Sequence, residues 1–420
     1  MTGNVLAQLA LPVLVYARTG LPLLSGLAFA ASFLPYPFAA ALLSALVDRV
    51  PPRRLLVGCD LLSALVVFGM AAPDAPDAAL IPLAFVLGLI GPIHQGGRAA
   101  TLLGALPETA LVPGRSLIRL VGQGAQIGGF ALTGSLLTVL TPRTLLVCDG
   151  VSFAMAAAVL RLGTRERAAP ASRADPDRTE RRTAERTAQR AAERTAGDTA
   201  ARTTTFSVVR ESVAGLPRIF RIPAVRRVLL CMWIFPALCA VPEALAVPYA
   251  EGGRPGGDVL GAGLLLTAFP VGTFIGETVV TWRASPRTQV RLIRASCLVL
   301  VIPLIVFASR PGLPAAIALL AVSGLGNAAL PGLDRVLLAA TPERSLPRVL
   351  SIQAAGLMFA AGAGYAVAGA AAEFLRLSSV IALAGCCGLV IAPALAPAVA
   401  DEEPITRAAR SVSGKRPSGR

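Results

Sequence analysis

The chain has 420 residues, 55% of them Ala, Val, Ile, Leu, Met, Phe, Trp, Tyr or Cys and only 15% charged, with a formal net charge of +15 and a mean hydropathy of +0.68. This composition excludes a string of soluble domains and predicts an all-α polytopic membrane protein, because twelve helices of about 20 residues need only about 240 residues. With one histidine and one lysine, multi-His zinc sites are excluded, and Lys415 lies in the tail without the Gly-rich run of a phosphate-binding loop. Only His94 could serve a Ser-His-Asp triad. The reading is a non-enzyme with no cofactor and no metal, in which any pumping is driven by a gradient.

Taken in chain order, the apolar runs predict spans at about 4–17, 24–47, 55–72, 78–97, 116–140, 144–161, 228–250, 259–282, 292–309, 314–338, 349–372 and 377–399. The first is short for about 30 Å of hydrocarbon, so either a longer start lies upstream or the helix is clipped. No basic segment with a small-residue cleavage site precedes it, so no removable signal peptide is expected. The seven cysteines (Cys59, Cys148, Cys231, Cys239, Cys297, Cys386, Cys387) fall in apolar stretches without CxxC spacing and read as small core residues.

The basic residues orient the bundle. With both termini cytoplasmic, only Arg18, Arg143, Arg254, Arg310 and Arg376 fall on the outer side, and every other Arg together with Lys415 falls inside. The layout is an N-terminal six-helix half (1–161), a basic cytoplasmic linker (162–227), a C-terminal six-helix half (228–399) and a basic cytoplasmic tail (400–420). The linker phrases Arg182-Thr-Ala-Glu-Arg186 and Glu193-Arg194-Thr-Ala196 have no apolar stripe and read as solvated. Their basic excess could alternatively hold the linker against anionic lipid.

Sliding the chain on itself by 235 residues pairs Gly26 with Gly261, Pro35 with Pro270, Pro51 with Pro286, Gly91 with Gly326, Glu108 with Glu343, Gly129 with Gly364 and Gly134 with Gly369. Residues with special backbone roles recur where the same bends and close helix contacts recur, so the constant offset predicts two repeated halves.

With that repeat the chain resembles the major facilitator superfamily. The segment Ser44-Ala-Leu-Val-Asp48-Arg49-Val-Pro-Pro-Arg53-Arg54 is similar to its loop signature, with Ser44 and Pro51 where glycines are usual. Gly124-Ala-Gln-Ile-Gly128-Gly129 resembles the exporter-type glycine motif, with Ala125 in place of proline. The phrases Leu106-Pro-Glu108, Asp149-Gly-Val-Ser-Phe153 and Pro342-Glu-Arg-Ser-Leu-Pro-Arg348 look like the macrolide-efflux and enterobactin-exporter-like branch of drug:proton antiporters. The resemblance implies a monomeric proton-coupled exporter of a small amphipathic compound in the plasma membrane, working by alternating access. An importer or facilitator of the same fold, or a non-transporting sensor or scaffold, stays open.

Buried acids are functional candidates, since an ionised side chain at bilayer depth is costly unless paired, wet or neutralised. Glu243 in span 7 pairs by repeat with Gln8 in span 1, and the resemblance implies that the two face each other across a central cavity. It reads either as a proton or cation site or as a neutral, hydrogen-bonded carboxyl beside Pro242. His94 with Gln95 in span 4 can titrate near neutrality or be structural. Asn327 in span 10 offers a neutral polar contact, while Gly324 and Gly326 beside it equally fit a helix crossing. Asp48, Arg49, Arg53 and Arg54 read as positive-inside topology or as a cytoplasmic latch, with Asp60 in the same network. Glu277 in span 8 is expected to pair with Arg283 or Arg287, and Asp149 to pack and cap. Gly124, Gly128 and Gly129 are expected to form a close-packing face.

Overall fold

A computed structural model describes residues 2–39, 50–73, 75–103, 108–163, 220, 222–252, 258–341 and 346–400. Every element among them is helical. Before the linker lie α1 (Thr2–Thr19), α2 (Pro22–Phe33), α3 (Pro52–Ala71), α4 (Asp77–Leu103), α5 (Glu108–Leu136) and α6 (Pro142–Gly163). After it come α7 (Pro223–Ala244), α8 (Ala246–Ala250), α9 (Val259–Arg283), α10 (Pro286–Val306), α11 (Leu313–Leu325), α12 (Leu330–Ala340), α13 (Leu346–Ala371) and α14 (Leu377–Ala400). Among the described residues nine helical segments are long and apolar enough to cross a membrane, and Leu6–Thr19 and Leu377–Pro393 are shorter apolar helices. The chain is a multi-pass membrane protein.

Proline and glycine set the breaks. Gly20, at φ 66°, stops α1 by donating its amide to Tyr16 O at 2.8 Å, a left-handed cap that costs glycine little. Pro22 then opens α2 at its first turn. Between α11 and α12 the helix tightens into a 3-10 turn over Gly326–Ala329, just where Pro331 can donate no amide back to the preceding turn.

The connections identify two ends. Arg18 at the close of α1 meets Asp77 at the start of α4 at 2.6 Å, and Arg143 at the start of α6 donates to Pro73 O at 3.0 Å. In the other group Tyr249 of α8 donates to Pro311 O at 2.7 Å, and between the groups the Leu23 amide of α2 donates to Glu373 beyond α13 at 3.0 Å. These mark one end. At the other, where the linker attaches, Arg53 of α3 donates to Arg161 O of α6.

The core differs between the ends. One cluster of buried apolar residues joins both helix groups and includes Leu9, Tyr16 and Phe29 with Leu245, Leu266 and Phe307. The second cluster draws all its buried residues from the C-terminal helices, among them Leu229, Phe235, Ile293 and Leu337. Among the described residues, the buried apolar contacts shared by both groups belong to the first cluster.

Glycines make that packing close. A Cβ placed on Gly26 of α2 would lie 2.9 Å from Gly369 Cα of α13, and one placed on Gly134 of α5 would lie 2.7 Å from Gly263 Cα of α9. Applying the 235-residue offset to Gly26–Gly369 gives Gly261–Gly134. The observed partner is two residues further along α9, so the repeat read in the sequence reappears as two nearly equivalent helix crossings.

Candidate functional site between the two helix groups

Pro236 and Pro242 lie inside α7, and the helix ends two residues after Pro242, with Leu245 turning the chain into α8. Glu243 sits at this weakened end. Its Oε2 accepts the phenol of Tyr365 from α13 at 2.5 Å. Tyr365 is only 5% exposed, and its ring stacks on Phe29 at 5.4 Å and leans on Phe33 at 5.1 Å, both from α2. One tyrosine thus links a carboxylate on α7 to the aromatic face of α2. A carboxyl in such apolar surroundings needs a partner, and the phenol provides one.

Tyr365 is not among the residues singled out from the sequence. The signal is faint: it is one of four tyrosines, set in a helix of Ala and Gly where nothing else polar lies within a turn toward Gly369. Gln8 is half-buried on α1, and no hydrogen bond joins it to Glu243. The facing pair expected from the repeat is not what holds the carboxylate.

Asp60 also finds a different partner from the expected one. Its Oδ1 lies 3.1 Å from His94 Nε2, joining α3 to α4, and Asp60 is 3% exposed. Its Oδ2 is buried without a hydrogen-bond partner among the described residues. Asp60 lies seven and six residues along α3 from Arg53 and Arg54, just under two turns, and its observed partner comes from α4. Of the latch residues, Asp48 and Arg49 lie outside the described residues, as does the side chain of Gln95.

Glu277 of α9 is buried and accepts Gln123 Nε2 of α5 at 3.2 Å. The partner in view comes from the N-terminal helices rather than from Arg283 or Arg287, both of which are exposed at the elbow that follows. Asn327 Nδ2 donates to Thr273 Oγ1 at 2.9 Å. Around that bond, a Cβ on Gly272 would collide with Ala321 O and one on Gly324 with Phe269 O. The helix crossing between α9 and α11 is formed at this segment. Asp149 is buried, with Ser152 donating to its backbone O at 2.9 Å.

The close packing expected of Gly124 and Gly128 is not found among the described residues. Both are exposed, and a Cβ on either meets nothing within 4 Å. Gly129 is buried, and the tight glycine contact of α5 lies further along, at Gly134. The GxxxG spacing is present, yet among the described residues no atom packs against it. Among the described residues no group of three or more His, Cys, Asp or Glu could hold a metal ion.

No family model and no curated protein sequence matches the chain. Solved structures do. The nucleoside transporter NupG is 11% identical, with a TM-score of 0.62 over 96% of this chain and 99% of that one. A POT family transporter in complex with a thioalcohol-conjugated peptide is 10% identical, with a TM-score of 0.62 over 93% and 92%. A bacterial homologue of the human lysosomal transporter Spinster, in an inward-facing and unoccupied conformation, is 14% identical, with a TM-score of 0.65 over 95% and 94%. At these identities the likeness concerns the fold alone, and it extends over nearly the whole chain. The chain shares the all-α, multi-pass fold of these transporter structures.

Proposed function

We propose that this protein is a secondary active transporter, a proton-coupled exporter of a small amphipathic compound that works by alternating access in the plasma membrane. Twelve spans in two six-helix halves, 1–161 and 228–399, enclose the pathway, and both termini lie in the cytoplasm. The fold supports membrane transport. The glycine motif and the phrases resembling the macrolide-efflux and enterobactin-exporter-like branch support export.

The observation that carries the coupling is the Glu243–Tyr365 hydrogen bond. Its carboxylate accepts the phenol, and the phenol's ring is stacked on α2. A proton added to Glu243 replaces a charged acceptor by a neutral one and weakens the hold of α7 on Tyr365. The packing of α13 against α2 then depends on whether the carboxyl carries a proton. A proton that binds the two conformations unequally shifts their populations, and linkage makes cargo and proton affect each other reciprocally.

The test is uptake of lipophilic antibiotics and dyes into inside-out vesicles, with and without an acid interior, for wild type and Glu243→Gln. Gradient-dependent accumulation that Glu243→Gln abolishes is the expected result. Accumulation that survives the substitution keeps export and removes Glu243 as the coupling site. Flux in the reverse direction would make the protein an importer, and a correctly inserted protein that moves none of the panel is read as a sensor.

A further inference from the structure

We propose that the elbow between α9 and α10, at the linker end of the bundle, binds the headgroup of an anionic phospholipid. The exposed face of α9 runs through Ile275 and Val279 and ends on Trp282, which is 85% exposed. The next residue, Arg283, closes that helix. On α10 the exposed residues include Arg287, Arg291 and Arg294 in the first half and Val299, Ile302 and Val306 in the second. At 100° per residue these six positions fall on one side of the helix, about 140° wide. A single outward face thus changes from three arginines to three branched apolar side chains along its length.

That change marks a boundary between headgroups and acyl chains. The arginines cover about 10 Å of helix, comparable with the polar layer on one side of a bilayer once their long side chains bend outward. Trp282 stands where tryptophan is enriched, at the membrane–water interface. Neither the elbow nor any position of α10 carries an acid that could neutralise the four arginines in place.

The elbow is held rigid from its inner side. Ser285 accepts the Thr288 amide at 3.2 Å and caps α10. Gln289, buried one turn in, donates to Val280 O at 3.3 Å and Ala284 O at 3.2 Å, and accepts Arg335 Nε at 2.6 Å. Arg335, though exposed, is tied to Gln289 by its Nε, whereas Arg287, Arg291 and Arg294 lie on the outward face of α10. Inside-positive loops alone would be satisfied by charge anywhere in the connection. Nor is the stripe a feature of the repeat, because the 235-residue offset places Pro52, Leu56 and Cys59 at the corresponding positions. An ordered basic stripe beside an interfacial tryptophan fits a phosphate diester anchored in the bilayer, with fixed charge facing fixed charge at one depth.

The chain has two tryptophans, and Trp233 is engaged inside the bundle through Nε1 to Gln353 O at 3.1 Å. In a Trp233→Phe background, the remaining emission reports on the lipid beside Trp282. Full-length protein is reconstituted in phosphatidylcholine vesicles, with a fixed fraction replaced by dibrominated phosphatidylglycerol or by dibrominated phosphatidylcholine. The expected result is a preference for quenching by the anionic lipid of at least about fivefold, the factor that one engaged arginine supplies. It falls toward equality in Arg287→Gln/Arg291→Gln/Arg294→Gln. The corresponding triple Arg→Lys variant separates lost charge from lost structure, and it keeps the preference. Equal quenching by the two lipids in the parent protein, an undiminished preference in the Gln variant, or the same loss in the Lys variant overturns the proposal.

Discussion

Tyr365 donates to Glu243 at 2.5 Å while its ring lies between Phe29 and Phe33, so one side chain joins α7, α13 and α2. Removing only the hydroxyl, as in Tyr365→Phe, keeps the stacking and leaves the carboxyl without its donor. We expect a loss of about 1–2 kcal/mol in unfolding free energy, read from thermal melts in detergent. Because the two groups share one bond, Tyr365→Phe combined with Glu243→Gln should cost less than the sum of the single changes. Simple additivity would show that the bond contributes nothing.

The contact between Asp60 and His94 can be read directly, since His94 is the chain's single histidine. Protein labelled with 15N-histidine should give one imidazole spin system, and Asp60→Asn should shift its Nε2 resonance. An unmoved resonance would mean that the carboxylate lies elsewhere. His94→Ala, which strands a buried carboxyl, should lower stability by about 1–3 kcal/mol.

Glycine substitutions should divide by position. Gly272→Ala and Gly324→Ala drive a methyl into a facing carbonyl and should each destabilise by about 1–3 kcal/mol. Gly128→Ala meets open space and should change stability by no more than about 1 kcal/mol, with a gain in helix propensity favouring the alanine. Comparable losses at all three positions would contradict the packing described for α5, α9 and α11.

Wedging the closed end should part it. Gly134→Leu and Gly369→Leu each place a bulky side chain where another helix's backbone now lies. Spin labels at Leu21 and Phe374, both exposed at that end, should report a longer and broader distance distribution in either variant than in the parent. An unchanged distribution would show that the crossing does not hold the end shut.

The ion pair between Arg18 and Asp77 is exposed on the Asp77 side, so its 2.6 Å separation should count for little. Arg18→Ala is expected to cost about 0–1 kcal/mol, and less as salt is added.

Much of the fold is legible in the sequence because membrane helices announce themselves by apolar length, and over the described residues the predicted spans fall in helical segments, nine of them long and apolar enough to cross a membrane. The repeat is legible as well, through Gly and Pro at a fixed offset, and that offset relates the observed Gly26–Gly369 contact to Gly134–Gly263 with a displacement of two residues. The site was less so. Glu243, Asp60 and Glu277 stood out because charge is rare in apolar runs. Their partners Tyr365, His94 and Gln123 come from other helices at distances along the chain that no periodicity encodes. Gly124 and Gly128 show the converse limit: GxxxG spacing defines a flat helix face, but which way that face turns is settled by the helix's neighbours.

The glycine crossings that close the end opposite the linker bring backbone against backbone with no side chain between. The buried apolar cluster around them, with Leu9, Phe29, Leu245 and Leu266, carries most of the cost of parting, about 1.5–3 kcal/mol for each fully buried leucine, whereas the glycine contact itself uncovers little apolar area. It also leaves no rotamers to reset when the surfaces meet again. A glycine crossing of this kind adds little to the free energy of parting the two helix groups, so under the proposed alternating access it is the part of the contact most easily broken and remade.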